Sequence, residues 1–270
     1  RIIVYGAGAG GIGVAWALKQ GLMREGLSEE EALSRLFVLD SQGLLVEGRR
    51  MEPYKQAFAQ KAAALQGWNY TGNVPNLIEV IQNARATVLL GLSGQPASFT
   101  EPIVKAMLAN TPRPAIFPLS NPTSSSEALP EDLVRWTHGT AMVAAGSPFA
   151  PVEYEGRTYP VGQGNNAFVF PGLGFGTVLA QAEEVTDAMV LEAAYALYDY
   201  TSTHHPDRVY PPMGELREVS KFVAARVIRR AIQEGVARSE KLKRLDFTGL
   251  KDFVEDRFWK PQYLPFKPPK

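Results

Sequence analysis

Arg1-Ile-Ile-Val-Tyr-Gly-Ala-Gly-Ala-Gly-Gly-Ile-Gly13 opens the chain. Ile2 to Tyr5 form an apolar run too short for a helix and rich in strand formers. A glycine-rich turn follows at once. A pattern of helical period then runs from Val14 through Trp16, Ala17 and Leu18 to Leu22. Strand, glycines and helix are the setting in which Gly6, Gly8 and Gly11 read as a G-x-G-x-x-G fingerprint for a dinucleotide. Gly6 is expected to permit the tight turn out of the strand, and Gly8 to let a pyrophosphate approach the backbone. Gly11 or Gly13 is expected to let helix and strand pack closely. Ala7, Ala9 and Gly10 complete the loop, and the helix N-terminus offers N–H groups and partial positive charge to the phosphates.

The second half of such a fingerprint is an acid at the end of the next strand. Leu36-Phe-Val-Leu39 reads as that strand and Asp40 as the acid. Asp40 lies 29 residues after Gly11, more than the usual ~20. Ser28-Glu-Glu-Glu31 reads as a capping box, so a short extra helix over about 29–35 accounts for the surplus. Asp40 suits the adenine ribose hydroxyls and repels a 2′-phosphate, which by itself favours NAD. A solvated turn carboxylate is the other role open to it.

The bulk numbers exclude several classes. Twenty-eight basic residues balance 28 acidic ones, which removes the electrostatic case for nucleic acid or an anionic membrane. Zero Cys excludes disulfides, a thiolate metal site and a Cys nucleophile, and fits a cytoplasmic protein. No apolar run reaches the length of a membrane span. The chain lacks an initiator Met and begins on a core strand, so a segment of a longer protein is expected.

Further on, the sequence predicts a helix over about 52–65, a short helix over 77–83 and an apolar strand over 86–92. Ser98-Phe-Thr-Glu101 reads as a second capping box opening a helix that ends near Asn110. A strand over 114–119, a helix over about 128–137 and a small-residue strand over 141–145 follow. Strand and helix thus alternate as in an α/β, Rossmann-like, doubly wound and mostly parallel sheet with helices on both faces. Residues 1–150 are read as the dinucleotide-binding core. Residues 151–270 are read as a substrate-loop and helical extension of the same domain. In that extension Glu153–Tyr159 reads as a hairpin turning at Glu155-Gly156, and Gly162–Asn166 as a polar loop. Helices are expected over 178–183, 187–200 and 215–235, with a rigid Pro-rich connector at 204–212. The last residues, with Trp259, Tyr263 and Phe266, read as an arm on a surface.

In an open parallel sheet, ligands gather outside the carboxyl ends of the strands. The loop at Ser93-Gly94, Asn121 and Ser147 all fall at such ends. An amide side chain both donates and accepts, which suits a nicotinamide amide, a carboxylate or a hydroxyl. Asn121 precedes Pro122, a position Asn also fills for local turn reasons, so both roles stay open. The same holds for Asn165 and Asn166. The acid–base machinery of hydride transfer is not evident. His138, His204 and His205 are placed as surface residues, and no paired carboxylates stand at metal spacing.

Several stretches together resemble the malic enzyme family, which includes the malolactic enzymes. They are Gly6–Gly13, Asp40-Ser-Gln-Gly-Leu-Leu45, Phe99-Thr-Glu-Pro-Ile-Val104, Leu119-Ser-Asn-Pro-Thr123, Gly146-Ser-Pro-Phe149, Gly162-Gln-Gly-Asn-Asn-Ala-Phe-Val-Phe-Pro-Gly172, Tyr210-Pro-Pro and Arg217-Glu-Val-Ser220. The resemblance implies the NAD(P)-binding domain of an enzyme that oxidatively decarboxylates L-malate to pyruvate and CO2. It implies NAD or NADP as cofactor, and Mg or Mn in the full-length protein. Matching positions place the pyrophosphate at Gly6–Gly13 and the adenine ribose at Asp40. They place malate and the nicotinamide end at Asn121, Asn165 and Asn166, with Ser41, Ser93 and Gly94 among the cofactor contacts. The family's acid, base and metal ligands precede this domain, so no catalytic or metal residue is assigned here, and an N-terminal partner domain and a homo-oligomer are expected. Ser41 and Lys55 resemble the polar and basic pair of NADP-dependent members, so the cofactor choice stays open. A malolactic enzyme and a non-catalytic nucleotide-sensing module are the alternative functions.

Overall fold

Ile3 and Val4 point to opposite faces of one sheet, and the same alternation recurs at Phe37 and Val38 and at Leu89 and Leu90. All are buried, the pattern expected of parallel strands covered on both sides. A computed structural model of the chain describes residues 1–263. Its strands are β1 (Ile2–Tyr5), β2 (Leu36–Asp40), β3 (Gly43–Leu44), β4 (Val88–Gly91), β5 (Ala115–Pro118), β6 (Met142–Ala145), β7 (Val152–Tyr154), β8 (Arg157–Tyr159) and β9 (Gly162–Gln163). Among the described residues a seven-stranded sheet runs in the order β3-β2-β1-β4-β5-β6-β9, antiparallel only at β3. The chain leaves β1 towards β2 and later returns to the other side of β1 at β4, so strand order reverses there. This is the α/β Rossmann-like architecture expected.

Helices α1 (Ala9–Arg24), α2 (Glu29–Leu33), α3 (Pro53–Gln56), α4 (Leu77–Ala84), α5 (Glu101–Asn110) and α6 (Pro130–Trp136) connect these strands. The capping box at Ser28 forms: Ser28 Oγ accepts from the Glu31 N–H at 3.2 Å, and the Ser28 N–H donates to Glu31 Oε2 at 2.8 Å. The second expected box does not. Glu101 is the first helical residue, with Pro102 behind it and Thr100 as an N-cap without a side-chain bond. Ser98 stands too far upstream, because Phe99 is buried and its N–H donates to Glu127 O.

The helix expected over 52–65 is broken into α3 and a 3₁₀ turn at Ala62–Leu65. Gln60 interrupts it. Its backbone pairs with Leu45 and Glu47, and its buried amide donates to Leu36 O at 2.7 Å and Leu33 O at 3.2 Å. The polar loop expected at 162–166 begins as a strand, since β9 pairs parallel with β6. The hairpin β7–β8 turns where expected, with positive φ at Glu155 and Gly156.

The chain divides into two compact units, residues 1–165 with 204–212, and residues 166–203 with 213 onward. The second is helical: α7 (Phe170–Ala180), α8 (Asp187–His204, its last residue in the first unit), α9 (Leu216–Gln233), α10 (Glu240–Lys243) and α11 (Phe247–Arg257). α7 starts well before the expected 178, despite Gly172, Gly174 and Gly176. Two of those glycines create the packing. A Cβ on Gly172 would lie 2.6 Å from Val223 Cβ, and one on Gly176 would lie 2.7 Å from Ala224 O, so α9 sits directly against α7. α10 and α11 were not expected from the sequence. Trp259 accepts from Arg217 Nη2 at 2.6 Å through its carbonyl, whereas Phe266 lies outside the described residues. No helix among the described residues is long and apolar enough to cross a membrane.

Candidate functional site

The turn after β1 shows a division of labour among its glycines. Gly6 has φ +122°, and a Cβ there would lie 2.3 Å from Leu92 O and 2.7 Å from Ser93 N. It lets the β1 turn abut the β4 loop. A Cβ on Gly11 would sit 1.6 Å from Gly6 O, so Gly11 is the close-packing glycine. Gly13 is not, since a Cβ on it meets nothing within 4 Å. Gly8 and Gly10 are likewise open, and Gly8, Ala9 and Gly10 are exposed while Ala7 is buried. No side chain caps α1 and no acid lies in its first turn. This leaves the positive end of a 16-residue helix facing outward beneath an unobstructed backbone.

At the end of β2, Asp40 is held from three directions. Its Oδ1 accepts from the Gln42 N–H at 2.9 Å, and its Oδ2 accepts from Arg49 Nη2. Lys55 Nζ lies 3.7 Å from the same Oδ2 and 2.8 Å from Glu52 Oε2. Glu52 first, and Asp40 after it, hold the Lys55 ammonium above the ordinary lysine range. Two acids thus match two bases in this corner. Ser41 beside it is exposed.

Across the strand-order reversal, the loops after β4, β5 and β6 are tied together. Gly94 has φ +65° and its N–H donates to Ser120 Oγ at 2.9 Å. Ser147 Oγ donates to Asn121 Oδ1 at 2.6 Å. Gly146 makes room for this: a Cβ there would lie 2.2 Å from Leu119 O and 3.0 Å from Asn121 Nδ2. The Asn121–Pro122 peptide is cis. The structure therefore brings Gly6, Ser93, Gly94 and Asn121 to the carboxyl edge of the sheet within the first unit. Asn165 ends the contiguous part of that unit, its N–H donating to Gln163 O at 3.0 Å. Asn166 begins the second unit as the first residue of a 3₁₀ turn over Asn166–Phe168.

Two residues of this neighbourhood, Arg49 and Glu127, carry no motif or period of their own, whereas Ser120 stands inside the Leu119–Thr123 stretch with no role assigned to it by the sequence. A cleft of about 500 Å³ lined by Arg113, Met142, Tyr159 and Tyr210 lies at the amino ends of β5 and β6. It opens at the end of the sheet opposite the glycine turn. Among the described residues no group of three or more His, Cys, Asp or Glu is arranged to hold a metal ion.

Residues 1–232 match the family described as malic enzyme, NAD binding domain. The chain belongs to the malic enzyme family. It is 41% identical over 272 residues to the NAD-dependent malic enzyme of Vibrio parahaemolyticus, covering 99% of this chain and 47% of that protein. It is 41% identical over 271 residues to NAD-dependent malic enzyme 3 of Bacillus subtilis, with the same coverage. The crystal structure of Entamoeba histolytica malic enzyme superposes with a TM-score of 0.69 at 23% identity, over 95% of this chain and 47% of that one. As a malic enzyme NAD-binding domain, the chain spans about half the length of these relatives.

Proposed function

We propose that this chain binds NAD within a longer, cytoplasmic malic enzyme that oxidises L-malate and releases pyruvate and CO2. The observation that carries this reading is the open Gly8–Gly10 backbone at the uncapped start of α1. A diphosphate fits there because backbone N–H groups and the helix dipole both favour an anion and no side chain obstructs it. Asp40 would take the adenine ribose hydroxyls, with Ser41 at its rim. The nicotinamide end would extend across the strand-order reversal towards Ser93, Gly94 and Asn121. NAD, when bound, supplies the hydride acceptor.

The charge balance around Asp40 supports NAD over NADP. Arg49 and Lys55 are matched by Asp40 and Glu52, so no surplus positive charge is left for a 2′-phosphate. Asn121, Asn165 and Asn166 are proposed to orient malate and the nicotinamide amide. Their amides supply donors for a carboxylate and acceptors for a hydroxyl, and they neither give nor take the reaction's proton. The described residues do not fit a divalent metal. Mg or Mn, the acid and the base are therefore assigned to the remaining half of the longer protein, and no step is routed through them here. We infer that the longer protein is a homo-oligomer.

The test uses the full-length protein. Malate with a divalent metal should convert NAD to NADH, read as a rise in near-ultraviolet absorbance, with NADP a poorer acceptor. Lactate formation without that rise would make it a malolactic enzyme. Cofactor binding indifferent to malate and metal would make it a nucleotide-sensing module.

A further inference from the structure

Glu127 is fully buried, yet no cation pairs with it among the described residues. Its carboxylate is satisfied entirely by two strand-end loops. Oε1 accepts from the Ser93 N–H at 2.9 Å, from Ser93 Oγ at 2.8 Å and from Ser120 Oγ at 2.5 Å. Oε2 accepts from the Ser120 N–H at 3.3 Å. β4 makes room for it through Gly91, where a Cβ would lie 2.6 Å from Glu127 Cδ.

The direction of these bonds matters more than their number. Both serine hydroxyls donate to Oε1, so their protons point inward. Their lone pairs then face outward. Ser93 Oγ accepts from the Gln95 N–H at 3.1 Å, and Ser120 Oγ accepts from the Gly94 N–H at 2.9 Å. One buried group thereby sets the hydroxyl rotors, the backbone of the Ser93–Gln95 turn and the start of the Ser120–Asn121 loop. Packing alone does not call for a charge here, since a neutral side chain of the same shape would fill the space at lower desolvation cost. A glutamine would put a donor against a donor, either at the Ser120 N–H or at the three donors around Oε1.

We propose that Glu127 is a positioning residue for the nicotinamide half of the cofactor, acting through the Ser93–Gly94 and Ser120–Asn121 loops that it clamps. The proposal rests on the reading that a dinucleotide lies across the carboxyl edge of this sheet. In that geometry the adenine half lies on the β1–β2 side, away from Glu127, and the nicotinamide half on the β4–β5 side.

The experiment compares NAD with ADP-ribose, which lacks the nicotinamide ring, by calorimetry on the full-length enzyme. Glu127→Gln should weaken NAD by about tenfold while ADP-ribose changes by less than about twofold. Ser120→Ala should show the same split. The double variant should be little worse than Glu127→Gln alone, because both changes break one clamp. Should Glu127→Gln fail to fold, Ser120→Ala and Ser93→Ala carry the comparison. Equal loss of both ligands would mark Glu127 as general scaffolding and overturn the proposal, as would no loss of either. A wild-type enzyme that binds neither NAD nor ADP-ribose would instead overturn the dinucleotide reading itself.

Discussion

Ser147 Oγ holds the side-chain carbonyl of Asn121 at 2.6 Å, so a residue on the β6 loop sets the orientation of an amide on the β5 loop. With Oδ1 occupied, the amide presents its NH2 group, which makes only a long 3.5 Å contact to Leu119 O. Ser147→Ala removes that restraint without removing the amide. It should lower kcat/KM for malate about three- to tenfold, as expected for one lost hydrogen bond. Asn121→Ala should cost more than about tenfold. Both are read in steady-state kinetics of the full-length enzyme, and Ser147→Ala behaving like wild type would remove this bond from the account.

Gly8 and Gly11 should separate binding from folding. Gly11→Ala forces a methyl to within 1.6 Å of Gly6 O. A cost of at least about 3 kcal/mol is expected, or roughly 6–12 °C in Tm. Gly8→Ala meets nothing within 4 Å, so Tm should stay within about 2 °C. The new methyl would stand where a diphosphate approaches the backbone, and NAD affinity should fall about tenfold. Thermal melts and calorimetry on the two variants check this, and unchanged affinity in Gly8→Ala would place the phosphates elsewhere.

A second pair of glycines should give effects of opposite sign. Gly174 is exposed on α7 with open space around it. Gly174→Ala should stabilise the protein by about 0.5–1 kcal/mol through helix propensity. At Gly176 the added Cβ would meet Ala224 O at 2.7 Å and Ala224 Cα at 3.1 Å. These are backbone atoms that cannot rotate away, so Gly176→Ala should destabilise by about 1–3 kcal/mol. Denaturant unfolding reads both, and two shifts of the same sign would contradict the α7–α9 packing.

Tyr200 gives a pH signature. Burial, and then its 3.0 Å hydrogen bond to Glu215, push its phenol up to about 12. The folded form therefore holds this proton more tightly than the unfolded chain does. That contribution to stability is intact below pH ~10, the ordinary tyrosine value, and is lost as pH rises towards about 12. Tyr200→Phe should lose less stability than wild type across this window, and one late-ionising phenol should vanish from an alkaline absorbance titration. Identical alkaline profiles for the two proteins would contradict it.

Structure was legible in the sequence where one physical cause dominated locally. β1, β2 and β4 are short apolar runs, and the Gly6–Gly11 approach and the Ser28 box are set by contacts within a few residues. It was not legible where distant groups decide. Gln60 breaks a helical pattern because its amide satisfies carbonyls 24 and 27 residues away. β9 has only Gly162 and Gln163 and no apolar pattern, being held by backbone bonds to β6. Glu127 looks like any polar residue after a Ser-rich stretch, because Ser93 is 34 positions distant. Asp40 was legible as an acid at a strand end and Lys55 as a basic residue paired with Ser41, but Arg49 was not, since no pattern links it to β2.

The connector at 204–212 carries a further meaning for anyone dividing the gene. Its Tyr210 lies against Gly162 and Gly164, where added Cβ atoms would meet the ring at 3.3 and 3.5 Å, and burial pushes its phenol up. This segment covers the outermost strand of the nucleotide-binding unit, although the helices on either side of it in the chain belong to the other unit. A fragment stopped after Asn165 would keep every glycine of the opening turn and still leave that sheet border bare and prone to sticking to its copies. Neither unit can be excised by one cut, because each is assembled from two separate stretches of the chain.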